Sequence, residues 1–169
     1  YDGNGNLATV TDALGNTTTY TYDAGGRVST VKNALGGTAS YVYDETGNVA
    51  KYTDCAGNVT TYVYDDMDRL TEKNVSGEKT SYTYSKAGLL TKVTDGMGTV
   101  SFSYDSYGRL TGKTDAAGNK LTYTYDKCGR LSSMDNGFGG TKYEYDIMDR
   151  VTRVIDRNGQ ATVYEYDAL

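Results

Sequence analysis

Residues 104–126 read YDSYGRLTGKTDAAGNKLTYTYD, and this stretch decides the fold. It opens on Tyr104-Asp105 and closes on Tyr125-Asp126, so the end of one unit is the start of the next. Two turn signals lie inside it: Gly108 before Arg109-Leu110, and Asp115-Ala116-Ala117-Gly118-Asn119. Gly and Asn tolerate positive φ, and an Asp carboxylate bonds back to nearby amides. Ahead of Tyr125 the rings of Tyr123 and Tyr125 alternate with Thr122 and Thr124, which is the period of a strand. Two short strands joined by a tight glycine turn make a hairpin.

The same unit recurs along the whole chain of 169 residues. Repeats are sought first, because missing them miscalls a fold. The anchor tyrosines are Tyr1, Tyr22, Tyr43, Tyr64, Tyr84, Tyr104, Tyr125, Tyr145 and Tyr166, spaced 20 or 21 residues apart. Asp follows each of them except Tyr84, which Ser85 follows. Two residues before each anchor from the second onward stands another ring: Tyr20, Tyr41, Tyr62, Tyr82, Phe102, Tyr123, Tyr143 and Tyr164. Four residues after the anchor comes Gly, or Asp at 68 and 149, and two further on always Leu or Val. Arg fills the gap at Arg27, Arg69, Arg109, Arg130 and Arg150. The second turn carries Gly at 15, 36, 57, 77, 98, 118, 139 and 159.

This pattern predicts an all-β protein: a single array over residues 1–169, with eight units and the start of a ninth. Each unit is one hairpin, so the chain is an antiparallel meander of about 16 short strands, a twisted or spiralling β-ribbon without helix. One face carries the rings two deep, with Leu or Val beside them; the other is Thr, Ser, Val, Lys and Glu. The first strand falls near Leu7 to Thr11 and the last near Thr162 to Tyr166. Both ends are in phase with the repeat, so the chain reads as a segment of a longer array. Without Pro or a capping unit at either end, edge-to-edge association of the isolated segment is expected.

Composition narrows the function. There are 18 Tyr and 21 Gly against 2 Phe and no Trp, Pro or His. The net charge is -5 with Lys and Arg dispersed, which offers no groove for nucleic acid, and no apolar run is long enough for a membrane span. A zinc site built from Cys and His is excluded by the lack of His, and Cys55 and Cys128 read as small residues in turns, with an internal disulfide between them as the alternative. The Asp after each anchor reads as a turn residue paired with the Arg, because a translational repeat makes many equal sites where catalysis needs one tuned site. Asp-x-x-Gly-Asn turns supply one carboxylate each, too few for calcium. No catalytic, cofactor or metal residue is assigned. The rings leave two readings open: the sheet's own packing or a shell's lining, and a platform for stacking glycans.

The unit, Tyr-Asp-x-x-Gly-Arg-Leu followed by Asp-x-x-Gly-Asn and Tyr-x-Tyr-Asp, resembles the YD repeat of the rearrangement-hotspot (RHS) family, also found in teneurins and insecticidal toxin complexes. The resemblance covers essentially the whole chain. It implies a β-ribbon spiralling into a hollow shell that encloses a toxic C-terminal domain or serves as an extracellular scaffold. It further implies neighbouring repeats as partners, a toxin domain as cargo, a secreted or bacterial cell-surface location, and an association with carbohydrate binding. The family's core-associated segment with its autoproteolytic aspartate pair, and its variable effector tail, are not recognisable in this sequence.

Overall fold

The computed structural model describes residues 1–167. Strand order in the sheet follows chain order from the first strand to the sixteenth, and no helix occurs among the described residues. The chain divides into two compact units, Tyr1–Tyr82 and the residues from Thr83 onward.

Unit 1 holds β1 (Thr9–Thr11), β2 (Thr17–Tyr22), β3 (Val28–Lys32), β4 (Thr38–Tyr43), β5 (Val49–Thr53), β6 (Val59–Tyr64), β7 (Leu70–Val75) and most of β8 (Glu78–Tyr84). Unit 2 holds β9 (Leu90–Asp95), β10 (Gly98–Tyr104), β11 (Leu110–Thr114), β12 (Lys120–Tyr125), β13 (Leu131–Asp135), β14 (Gly140–Tyr145), β15 (Val151–Ile155) and β16 (Ala161–Val163). Within each unit consecutive strands pair antiparallel, as the hairpin reading requires.

Both turns of a repeat share one construction. After Tyr104, the Asp105 amide donates to Arg109 O at 3.0 Å and the Gly108 amide donates to Asp105 O at 3.1 Å. After Thr114, Asp115 donates to Asn119 O and accepts from Gly118, both at 3.0 Å. Gly108 and Gly118 have φ of 78° and 88°. This is the hairpin loop in which a type I turn is followed by one left-handed residue, and only Gly takes that conformation without strain. Asp68 and Asp149 hold it at φ 58° and 63°. The β7–β8 turn is tighter, with Ser76 and Gly77 at 52° and 100°, the signature of a two-residue type I′ loop.

The pairing slips by one residue next to the anchor tyrosines. Thr21 faces Thr30 but Tyr22 faces Val28, and Thr124 faces Ser133 but Tyr125 faces Leu131. Such a bulge puts two residues opposite one. It brings Val28 and Val31, three apart in sequence, onto the ring face opposite Tyr22 and Tyr20.

The outer strands are shorter than the sequence pattern suggests. β1 begins at Thr9, not Leu7, and β16 ends at Val163, not Tyr166. Each of these strands has a single neighbour to hold it, and the regular pairing covers only three residues of each. Tyr164 and Tyr166 therefore lie beyond β16, with Tyr164 N still donating to Thr152 O at 2.9 Å.

Neither unit has an enclosed core. Ala39, in the row Tyr20–Val31–Ala39, is the buried apolar residue among those described, at 8% exposure. From Tyr20 to Tyr145 the motif rings are half-buried against neighbouring strands, whereas Tyr1, Tyr164 and Tyr166 are exposed. The opposite face carries hydroxyl clusters, with Thr21 Oγ1 at 2.6 Å from Thr30 Oγ1 and Thr124 Oγ1 at 2.6 Å from Ser133 Oγ.

Candidate functional site: a tyrosine, arginine and aspartate ladder

What recurs chemically is a contact between successive repeats. The anchor phenol donates to the carbonyl of the Leu or Val one repeat earlier: Tyr22 to Leu7 (2.9 Å), Tyr43 to Val28 (2.8 Å) and Tyr64 to Val49 (3.2 Å) in unit 1. Unit 2 repeats it from Tyr104 to Leu90, Tyr125 to Leu110 and Tyr145 to Leu131, each at 2.8 Å, and from Tyr166 to Val151 at 2.7 Å. The acceptor lies beyond the paired part of the neighbouring strand: β3–β4 pairing covers Thr30 to Lys32, so Val28 O has no ladder partner on β4 and takes the Tyr43 hydroxyl instead. A tyrosine is needed because the ring covers the sheet and the hydroxyl satisfies that carbonyl.

The Arg completes the link. Arg27 Cζ lies 4.6 Å from the centroid of Tyr43, Arg109 4.5 Å from Tyr125, Arg130 4.6 Å from Tyr145 and Arg150 4.5 Å from Tyr166. This is cation–π distance, so each Arg caps the next repeat's anchor ring. The same guanidinium is held from behind by the Asp of its own turn, at 2.8 Å for Arg27–Asp23 and 2.7 Å for Arg109–Asp105, Arg130–Asp126 and Arg150–Asp146. Arg130 goes further, donating to Asp146 O at 2.9 Å and pairing with Asp149 at 2.8 Å. Asp149 and Asp68 stand where other repeats have Gly, and each reaches back one repeat: Asp68 accepts from Asn48 Nδ2 at 2.6 Å. The strained conformation is accompanied by a contact that Gly cannot make.

In the second turn Asn does what Arg does in the first. Asp115 Oδ1 accepts the amides of Ala117 and Asn119 at 2.9 Å, and Oδ2 accepts Asn119 Nδ2 at 2.8 Å. These bonds hold the carboxyls below the ordinary carboxylate range. The Asn side chain is the largest cause at Asp12, Asp54 and Asp115, the Arg side chain at Asp65, and the Arg amide at Asp23, Asp126 and Asp146. At Asp44 and Asp105 desolvation is the largest single influence and raises the carboxyl, but the summed hydrogen bonds outweigh it. The carboxylates are engaged in turn closure, and among the described residues no group of three or more Cys, Asp or Glu is arranged to hold a metal.

The fifth repeat substitutes the pair: Ser85 Oγ accepts the Leu89 amide at 3.2 Å, and Leu89 stands in the Arg position beside Gly108. Cys55 and Cys128 are exposed free thiols in turns, Cys55 packed against Gly37.

The teneurin YD-shell family model matches residues 1–141. The chain belongs to that family. No curated protein sequence matches it. Among solved structures, it is similar to one titled "Crystal Structure of TcdB2-TccC3-Cdc42", at 19% identity and a TM-score of 0.67, covering 83% of this chain and 9% of that one. It is also similar to "Crystal Structure of TcdB2-TccC3 without hypervariable C-terminal region", at 16% identity and a TM-score of 0.59, covering 92% and 11%. The chain thus spans about a tenth of the length of these structures and shares their fold. As a YD-shell family member it is a structural repeat module of a β-shell, and the ladder is how its repeats hold one another.

Proposed function

We propose that the module is wall material: in its parent protein it forms part of a shell around a toxin or effector region, outside the cell, and has no catalytic activity of its own. The observation that carries this reading is the recurrence of one contact at seven anchors with nearly one geometry. A wall needs equal joints, whereas catalysis needs one asymmetric, tuned site. The natural partners are further repeats, because β1 and β16 each present one edge without a strand neighbour in the sheet order. The same edges support self-association of the isolated chain. Glycan binding draws less support, because anchor rings that could stack on a sugar are covered by Arg27, Arg109, Arg130 and Arg150.

The test is limited proteolysis of the full-length parent protein. The sequence C-terminal to the array is expected to resist protease until the array is denatured. Cleavage there at the rate of an unfolded chain would refute enclosure. Glycan-array binding by this chain would move the assignment to the platform reading.

A further inference from the structure

Among the repeats, the third departs in a chemically specific way. Three residues after the Leu or Val of each unit come Val10, Val31, Tyr52, Lys73, Val93, Lys113, Met134 and Val154, and only Tyr52 is aromatic. The bulge between Val42 and Tyr43 turns this position onto the ring face, directly opposite Tyr41 in the β4–β5 pair. The two ring centroids are 5.1 Å apart with the planes tilted by 40°. The anchor phenols above are tied to carbonyls, whereas among the described residues neither the Tyr41 nor the Tyr52 hydroxyl makes a hydrogen bond. Both rings are half-buried and held side by side by flanking strands, so a small shift and rotation of the rings, not a backbone rearrangement, brings their ortho carbons together.

We propose that Tyr41 and Tyr52 form an oxidative cross-linking site, at which a haem peroxidase acting with hydrogen peroxide joins the two rings as dityrosine. Each phenol gives up one hydrogen atom from its hydroxyl, and the peroxide takes up both to become two water molecules. The two phenoxyl radicals then couple through the carbons ortho to their oxygens, forming one C–C bond. The hydrogens displaced from those carbons return to the oxygens as the rings regain aromaticity. The net change is the loss of two hydrogen atoms, and both phenols are restored. A phenol is protonated at neutral pH and loses its electron together with its proton; desolvation raises the Tyr52 phenol further in that direction. The product is a covalent staple across β4 and β5, locking the register on either side of the Asp44 turn.

The geometry separates this pair from the exposed rings. Tyr107 is 83% exposed and Tyr1 86%, so their radicals meet another molecule before a partner in the same chain. The experiment treats dilute protein with a haem peroxidase and one equivalent of hydrogen peroxide. It reads dityrosine fluorescence, intact mass and cross-linked peptides. The expected result is a monomer lighter by two hydrogen atoms, with the peptides bearing residues 41 and 52 joined. Tyr52→Phe and Tyr41→Phe, which keep the rings and hence the packing, should lose this product, and Tyr107→Phe should retain it. Undiminished product in Tyr52→Phe, coupling mapped to any other pair, or dityrosine found only between molecules would overturn the proposal, as would its complete absence.

Discussion

The hydroxyl of Tyr43 donates to the carbonyl of Val28, fifteen residues earlier, at 2.8 Å. The bond ties an anchor to the repeat before it, at a carbonyl that lies beyond the paired part of β3 and β4. Tyr43→Phe keeps the ring under Arg27 and removes the bond alone. It should cost about 0.5–1.5 kcal/mol, the net worth of one such hydrogen bond. Denaturant unfolding checks this, and a neutral result would mean that water replaces the phenol at no cost.

Two glycines of one turn should behave oppositely. A Cβ at Gly98 would stand 2.7 Å from Ala116 Cβ, and the residue has φ +132°. Gly98→Ala is expected to destabilise by about 1–3 kcal/mol, the cost of a strained backbone site. A Cβ at Gly96 meets nothing within 4 Å, and that residue lacks a left-handed φ. Gly96→Ala should stay within about 0.5 kcal/mol of the parent. Thermal melts of the two variants side by side decide it.

Acid should loosen the array through its turns. The carboxyls of Asp12, Asp23, Asp54, Asp65, Asp115, Asp126 and Asp146 lie below their ordinary value in the folded protein. Groups lowered by folding contribute stability that is fully present above the unfolded pKa of about 3.9 and lost as pH falls through the folded values. The melting temperature is therefore expected to hold from neutral pH to about 5 and to fall below about 4. A melting temperature that rises on acidification would contradict the ladder's electrostatics.

Much of this was legible in the sequence. Gly and Asp at fixed phase mark both turns, and Tyr123 alternating with Thr124 marks a strand, because these signals are local. The Asp–Arg pairing was also readable as chemistry. The bulge was not, since its outcome is that Val28 and Val31 share a face at a spacing foreign to a regular strand. Without the bulge nothing placed Tyr52 against Tyr41, and without the β3–β4 register nothing pointed to the carbonyl of Val28 as the acceptor for Tyr43. Nor does the sequence reveal that Asn119 and Arg109 perform the same closure on Asp115 and Asp105, because the two side chains look unrelated until both are seen returning to Oδ2.

The outer edges carry a prediction about assembly. β1 reads Thr9-Val10-Thr11 and β16 reads Ala161-Thr162-Val163, without Pro or a charged residue to block pairing. Exposed edges of that kind recruit further strands. The isolated chain should therefore grow in apparent mass with concentration in light scattering. A lysine in each edge strand, Val10→Lys with Thr162→Lys, should return it to a monomer. A strict monomer at high concentration would sink the idea.

Each repeat is held by its immediate neighbours through the anchor tyrosine, and amide hydrogen exchange in Tyr125→Ala tests this. Tyr125 bonds to Leu110 O and lies under Arg109. Its removal should cost about 2–3 kcal/mol, less than a fully buried ring. As in other repeat arrays, lost protection should be confined to β11, β12 and β13, with β2 to β7 unchanged. Equal loss of protection throughout the chain would contradict the account and show one cooperative unit in place of a ladder of joints.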